Sequence, residues 1–70
     1  MTDVKSQISG TVWQVLVEVG QDVSEEEDLL ILESMKMEIP VSAPQDGKVS
    51  EVLVKPGQAI QEGQVLVKLD

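Results

Sequence analysis

Seventy residues carrying 5 Lys+Arg against 13 Asp+Glu, net −8, present a surface that repels phosphate backbones and anionic lipid, so neither nucleic acid nor a membrane is expected as a partner. The absence of Cys and His excludes disulfides and an ordinary zinc site, leaving only carboxylates as metal ligands, so no metal is expected. A chain this short must be held by regular packing, and its 41% hydrophobic content in valine-rich runs points to a packed core rather than disorder.

The chain opens Met1-Thr2-Asp3, which does not begin a signal peptide, and no run approaches the roughly 20 apolar residues of a membrane span. A cytoplasmic address is expected. The first β-branched run, Thr11–Val17, reads as a strand and is closed by a Gly20-Gln21 turn. A short strand and a further turn lead to Leu29–Glu33, and Met37–Val41 follows almost at once. Pro44-Gln45-Asp46-Gly47 is a turn, and Lys48–Val54, Gly57-Gln58, Gly63-Gln64 and Val65–Asp70 continue the alternation. No window carries a 3.6-residue period, so helices are not expected.

The second half repeats the first. Residues 8–33 align without a gap on residues 45–70, pairing Gly10/Gly47, Val12/Val49, Val15/Val52, Leu16/Leu53, Val17/Val54, Gly20/Gly57, Gln21/Gln58, Glu25/Glu62, Leu29/Leu66 and Leu32/Leu69. Apolar parity slips at the same place in both copies, since Val12 and Val49 stand three residues before Val15 and Val52. A strand alternates faces with period 2, so a bulge is expected near Trp13-Gln14 and Ser50-Glu51. Trp13, the sole aromatic, aligns with Ser50, and partial burial against a sheet is expected of it. Two half-motifs, neither able to bury its apolar face alone, should clasp about a pseudo-two-fold axis. The expected domain is a single all-β unit over 1–70: a flattened barrel or sandwich with few open edges. Segment 34–44 then lies between the copies and belongs to neither.

That segment breaks turn chemistry. Two strands so close need a tight hairpin, whose central residues at positive φ call for Asn-Gly or Asp-Gly. Here the middle reads Ser34-Met35-Lys36-Met37, from unbranched residues that bear positive φ at roughly 1 kcal/mol or more each. Lys36 as a mere solubilising charge leaves the paired methionines unexplained. Flexible, polarizable Met35 and Met37 at a tip suit recognition by a partner; burial in the core is the alternative. Glu33 and Glu38 could form a catalytic carboxylate pair, but no group nearby could act with them, and flanking recognition charges fit better.

Glu33-Ser34-Met35-Lys36-Met37-Glu38 resembles the attachment motif of biotinyl domains in biotin-dependent carboxylases, with Ser34 where the common form has Ala. The resemblance spans nearly the whole chain, through the Gly-Thr-Val segment at Gly10, Gly20-Gln21-Asp22-Val23, Asp46-Gly47-Lys48-Val49 and Pro56-Gly57-Gln58. Small free-standing bacterial biotin/lipoyl attachment proteins look closest. No thumb-like insertion, as in some bacterial acetyl-CoA carboxylase carriers, lies between Thr11 and Val23. Glu26 stands where the second copy has Gly63, so that turn is expected to be strained or differently built.

The resemblance implies a barrel-sandwich hybrid of two four-stranded antiparallel sheets with biotin on Lys36. Met35 and Met37 would be read by a biotin protein ligase or a carboxylase, and Glu33, Ser34 and Glu38 complete the motif. It further implies a non-catalytic carrier whose arm, reaching on the order of 10–15 Å, visits a biotin carboxylase and then a carboxyltransferase. Lysine is protonated at neutral pH, so the ligase must supply the base. The nearest rival is a lipoyl carrier on the same lysine, but lipoyl domains usually have Asp before it and Ala after it, where Met35 and Met37 stand here. An unmodified interaction module is a further alternative. An enzyme is disfavoured, since a chain of this size has no room for a cleft.

Overall fold

Alternation of Val, Leu and Ile with polar residues makes eight strands and no helix in the computed structural model, which describes residues 2–70. In chain order they are β1 (Thr2–Lys5), β2 (Gly10–Val15), β3 (Asp22–Val23), β4 (Asp28–Ser34), β5 (Met37–Ser42), β6 (Gly47–Val52), β7 (Ala59–Ile60) and β8 (Val65–Leu69). They form two four-stranded antiparallel sheets, ordered β1-β8-β6-β3 and β5-β4-β2-β7. No helix of the described residues is long and apolar enough to cross a membrane.

The repeat becomes an exchange of short strands. β3, from the first half, pairs with β6 of the second, and β7 returns the favour on β2. The turns lock the exchange with mirrored backbone bonds. Gly20 N–H donates to Val49 C=O at 2.7 Å and Val49 N–H to Gln21 C=O at 2.9 Å; Gly57 N–H donates to Val12 C=O at 2.8 Å and Val12 N–H to Gln58 C=O at 2.9 Å. Side chains repeat the symmetry. Asp46 Oδ1 accepts the Glu25 N–H, and Ser9 Oγ accepts the Glu62 N–H.

The core follows the same axis. Val12/Val49, Val17/Val54, Val23/Ile60, Leu29/Leu66, Leu30/Val67 and Leu32/Leu69 are all buried, so the two halves contribute matching positions to one core. Ala43 is buried as well, and its mate Ser6 is the one buried polar residue among the described residues, with its hydroxyl satisfied by the Ile8 backbone. Both parity slips are register shifts, between Val12 and Gln14 against β4 and between Val49 and Glu51 against β8. Trp13 is the residue skipped in β2 and stays 45% exposed; Ser50, its counterpart, donates its hydroxyl to Lys68 C=O.

Two expectations are revised. The long strands end at Val15 and Val52 rather than Val17 and Val54, because the chain must leave one sheet to reach its short strand in the other. Leu16 and Leu53 sit at that departure and are 44% and 42% exposed. Residues 37–42 are not outside the symmetry: β1 pairs with β8 as β5 pairs with β4, and Val4 matches Val41 at the same spacing. The two four-stranded antiparallel sheets, which are not closed, make the flattened barrel-sandwich that was expected. β1, β3, β5 and β7 are edges, protected by the brevity of β3 and β7 and by Glu38 and Pro40 on β5. Glu26 takes φ +71° where Gly63 takes +86°, so the strain expected of that turn is present.

Candidate functional site

The hairpin of β4 and β5 carries every residue of the motif. Its register pairs Leu32 with Ile39, Glu33 with Glu38 and Ser34 with Met37, leaving Met35 and Lys36 as a two-residue turn. Alternation explains the faces. Leu32 is fully buried and Ile39 partly so, which anchors the hairpin base in the core, while Glu33 and Glu38 face solvent opposite one another. Ser34 and Met37 fall on the Leu32 side but past the rim of the core; Ser34 is half-buried and Met37 is 59% exposed.

Met35 and Lys36 adopt φ +53° and +66°, the paired left-handed conformation of a type I′ turn, whose twist matches that of the strands it joins. No glycine relieves it. Met35 is 91% exposed, the barest of the large apolar side chains among the described residues, and Lys36 is exposed beside it. The core alternative for Met35 and Met37 is therefore excluded. Glu33 and Glu38 have Thr11 as their further cross-strand neighbour and no partner that could share proton chemistry with them.

One contact was not foreseen. β2 passes so close to the hairpin base that a Cβ on Gly10 would lie 2.6 Å from the Glu33 carbonyl oxygen and 3.3 Å from Ser34 Cβ. Only glycine permits that approach. The sequence signal was available: Gly10 repeats as Gly47, yet Gly10 stands in none of the turns the sequence calls for.

The tip is a projection and not a cleft. A shallow hollow lined by Val4, Ile8, Leu32, Ile39 and Ala43 lies between the edge strands β1 and β5, and neither Met35 nor Lys36 contributes to its wall. The chemistry on offer at the tip is a primary amine in solvent, framed by two thioethers and held on a rigid stem. Such a group fits covalent attachment through an amide, with the reaction partner supplied by another protein.

A family model described as "Biotin-requiring enzyme", of the biotin/lipoyl type, matches residues 2–69. The biotin/lipoyl attachment protein of Bacillus subtilis is 44% identical over 66 residues, covering 94% of this chain and 90% of that protein. The biotin carboxyl carrier protein of Streptococcus mutans is 45% identical over 60 residues, 86% of this chain and 46% of that one. Pyruvate carboxylase of Staphylococcus aureus is 39% identical over 67 residues, and there the chain spans 96% of its own length but 6% of the relative's. Among solved structures, the Kluyveromyces lactis urea carboxylase superposes with TM-score 0.93 at 29% identity over 99% of this chain and 6% of that one. The lipoyl domain of the Azotobacter vinelandii 2-oxoglutarate dehydrogenase complex superposes with TM-score 0.83 at 26% identity, covering 100% and 96%.

Proposed function

The chain belongs to the biotin/lipoyl attachment family, and on that premise we propose that Lys36 is the residue on which it carries covalent biotin. The function is that of a biotin carboxyl carrier: a carrier rather than a catalyst. The observation that supports Lys36 is its place on an exposed two-residue turn between two exposed methionines, at backbone angles that glycine would hold at lower cost.

Each residue of the hairpin has a distinct task in this reading. Leu32 and Ile39 fix the stem, so the amine is presented in one place rather than on a mobile loop. Met35 and Met37 give a biotin protein ligase apolar surface on both sides of the amine. Glu33 and Glu38 set a carboxylate on each strand below it, and Ser34 packs over Gly10 to close the base. Lys36 supplies the nitrogen of the amide. The chain has no His or Cys that could take the ammonium proton, so the ligase provides that base. Biotin, once bound, supplies a site that takes up a carboxyl group at one enzyme and yields it at another. The carrier must therefore dock reversibly with a biotin carboxylase and a carboxyltransferase, and tethering raises local concentration at each only while docked.

Lipoate on the same lysine is the second reading, supported by the likeness to the lipoyl domain. Intact mass separates the two. Incubation with biotin protein ligase, ATP and biotin should add about 226 Da, one amide-linked biotin, and Lys36→Arg should abolish the gain. A gain of about 188 Da with a lipoate ligase and none with biotin transfers the assignment to lipoate. A gain that persists in Lys36→Arg refutes Lys36 as the acceptor.

A further inference from the structure

The hairpin tip concentrates the oxidisable sulfur of the chain. Of three methionines and no cysteine, two flank Lys36, with Met35 91% and Met37 59% exposed. Neither belongs to the buried core or packs against it. A thioether on a side chain this exposed is open to peroxide, Met35 more so than Met37. The sulfur attacks one peroxide oxygen, the O–O bond breaks, and the second oxygen leaves as water. Sulfur is oxidised by two electrons and hydrogen peroxide is reduced by two. Each product is a methionine sulfoxide, polar and chiral where the side chain had been apolar and pliant.

We propose that Met35 and Met37 form a reversible, peroxide-sensitive modification site whose oxidation prevents the ligase from loading Lys36 while leaving the fold intact. The inference rests on the assignment of Lys36 as the attachment residue. Its two halves follow from the same placement. Met35 and Met37 are the two chain neighbours of Lys36, one in the turn and one opening β5, so a protein that closes over the amine must also desolvate both side chains. A sulfoxide oxygen taken out of water without a hydrogen-bond partner opposes that closure. On the inner side nothing changes, because Leu32 and Ile39, and not the methionines, hold the stem. Sulfoxides are returned to thioethers by thiol-dependent methionine sulfoxide reductases, one for each epimer, which makes the block reversible.

The experiment uses the unmodified 70-residue chain. It is treated with hydrogen peroxide, quenched with catalase before biotin is added, and mapped by peptide mass for a gain of about 16 Da on each tip methionine. Initial rates of ligase-catalysed biotin uptake and the thermal midpoint are then compared with an untreated sample. The expected result is a rate lower by about tenfold or more, an unchanged midpoint, and recovery of the rate after treatment with both reductases. Three results overturn the proposal: full oxidation of Met35 and Met37 with an unchanged rate, resistance of both methionines to peroxide, or a loss of rate that tracks a fall in the midpoint. An untreated sample that takes up no biotin overturns the attachment reading instead, and is recognised without any peroxide step.

Discussion

Glu26 offers a measurement of backbone strain with its own control built into the chain. It holds φ +71° at the turn where its repeat mate Gly63 holds +86°, and both turns are closed alike: Glu26 N–H donates to Ala43 C=O at 2.8 Å, Gly63 N–H to Ser6 C=O at 2.7 Å. Replacing Glu26 by glycine therefore removes a left-handed, Cβ-bearing residue and keeps the bond. The relief is about 1–2 kcal/mol, offset by about 0.4–1 kcal/mol for the greater freedom of glycine in the unfolded chain. Glu26→Gly should thus be more stable by about 0.5–1 kcal/mol, which for a chain of this length raises the midpoint by about 2–8 °C. Because the protein is net −8, loss of a carboxylate could stabilise by itself, and Glu26→Gln isolates that effect. The converse, Gly63→Gln, should destabilise by a similar amount, since nothing lies within 4 Å of the added Cβ and only backbone conformation is at stake. The assay is thermal denaturation followed by circular dichroism. A Glu26→Gly midpoint no higher than that of Glu26→Gln would refute the reasoning.

The remaining predictions concern the hairpin and its core. Met35→Gly should stabilise the fold by about 0.5–1 kcal/mol through the same relief at φ +53° and yet slow biotin uptake, so that stability and loading move in opposite directions; parallel changes in thermal midpoint and ligase rate would count against it. Gly10→Ala should cost about 1–3 kcal/mol because its Cβ meets the Glu33 carbonyl inside a paired ladder. Gly47→Ala should cost less, since the carbonyl it meets at 2.8 Å belongs to Asp70, beyond β8 and freer to shift; equal denaturation midpoints would contradict this. Leu32→Ala and Leu69→Ala each remove a fully buried side chain at equivalent positions and should each cost about 2–5 kcal/mol, a difference between them reporting how unequal the two halves are.

The local features were legible because their signals are local. β-branched runs, glycine turns and a parity slip after Val12 and Val49 depend on a few neighbouring residues, and strands, turns and register shifts stand where those patterns lie. The tip was legible for the same reason: a two-residue connection without glycine leaves little choice of which residues turn. The approach of Gly10 to Glu33 was not, because it joins segments more than twenty residues apart, and a glycine without a turn does not say what comes close to it.

By itself the sequence determined that two like halves of strands surround a methionine-flanked lysine, and that no helix, disulfide or zinc holds them. It takes the folded molecule to show that the short strands β3 and β7 are exchanged between the halves, that Thr2–Lys5 flanks β8 at one sheet edge as Met37–Ser42 flanks β4 at the other, and that Leu16 and Leu53 are exposed where the chain passes between sheets. The division has a physical cause. Side-chain periodicity and turn chemistry are set by adjacent bonds, whereas the choice among equally apolar pairing partners is made by the joint burial of the whole core, which no single segment contains.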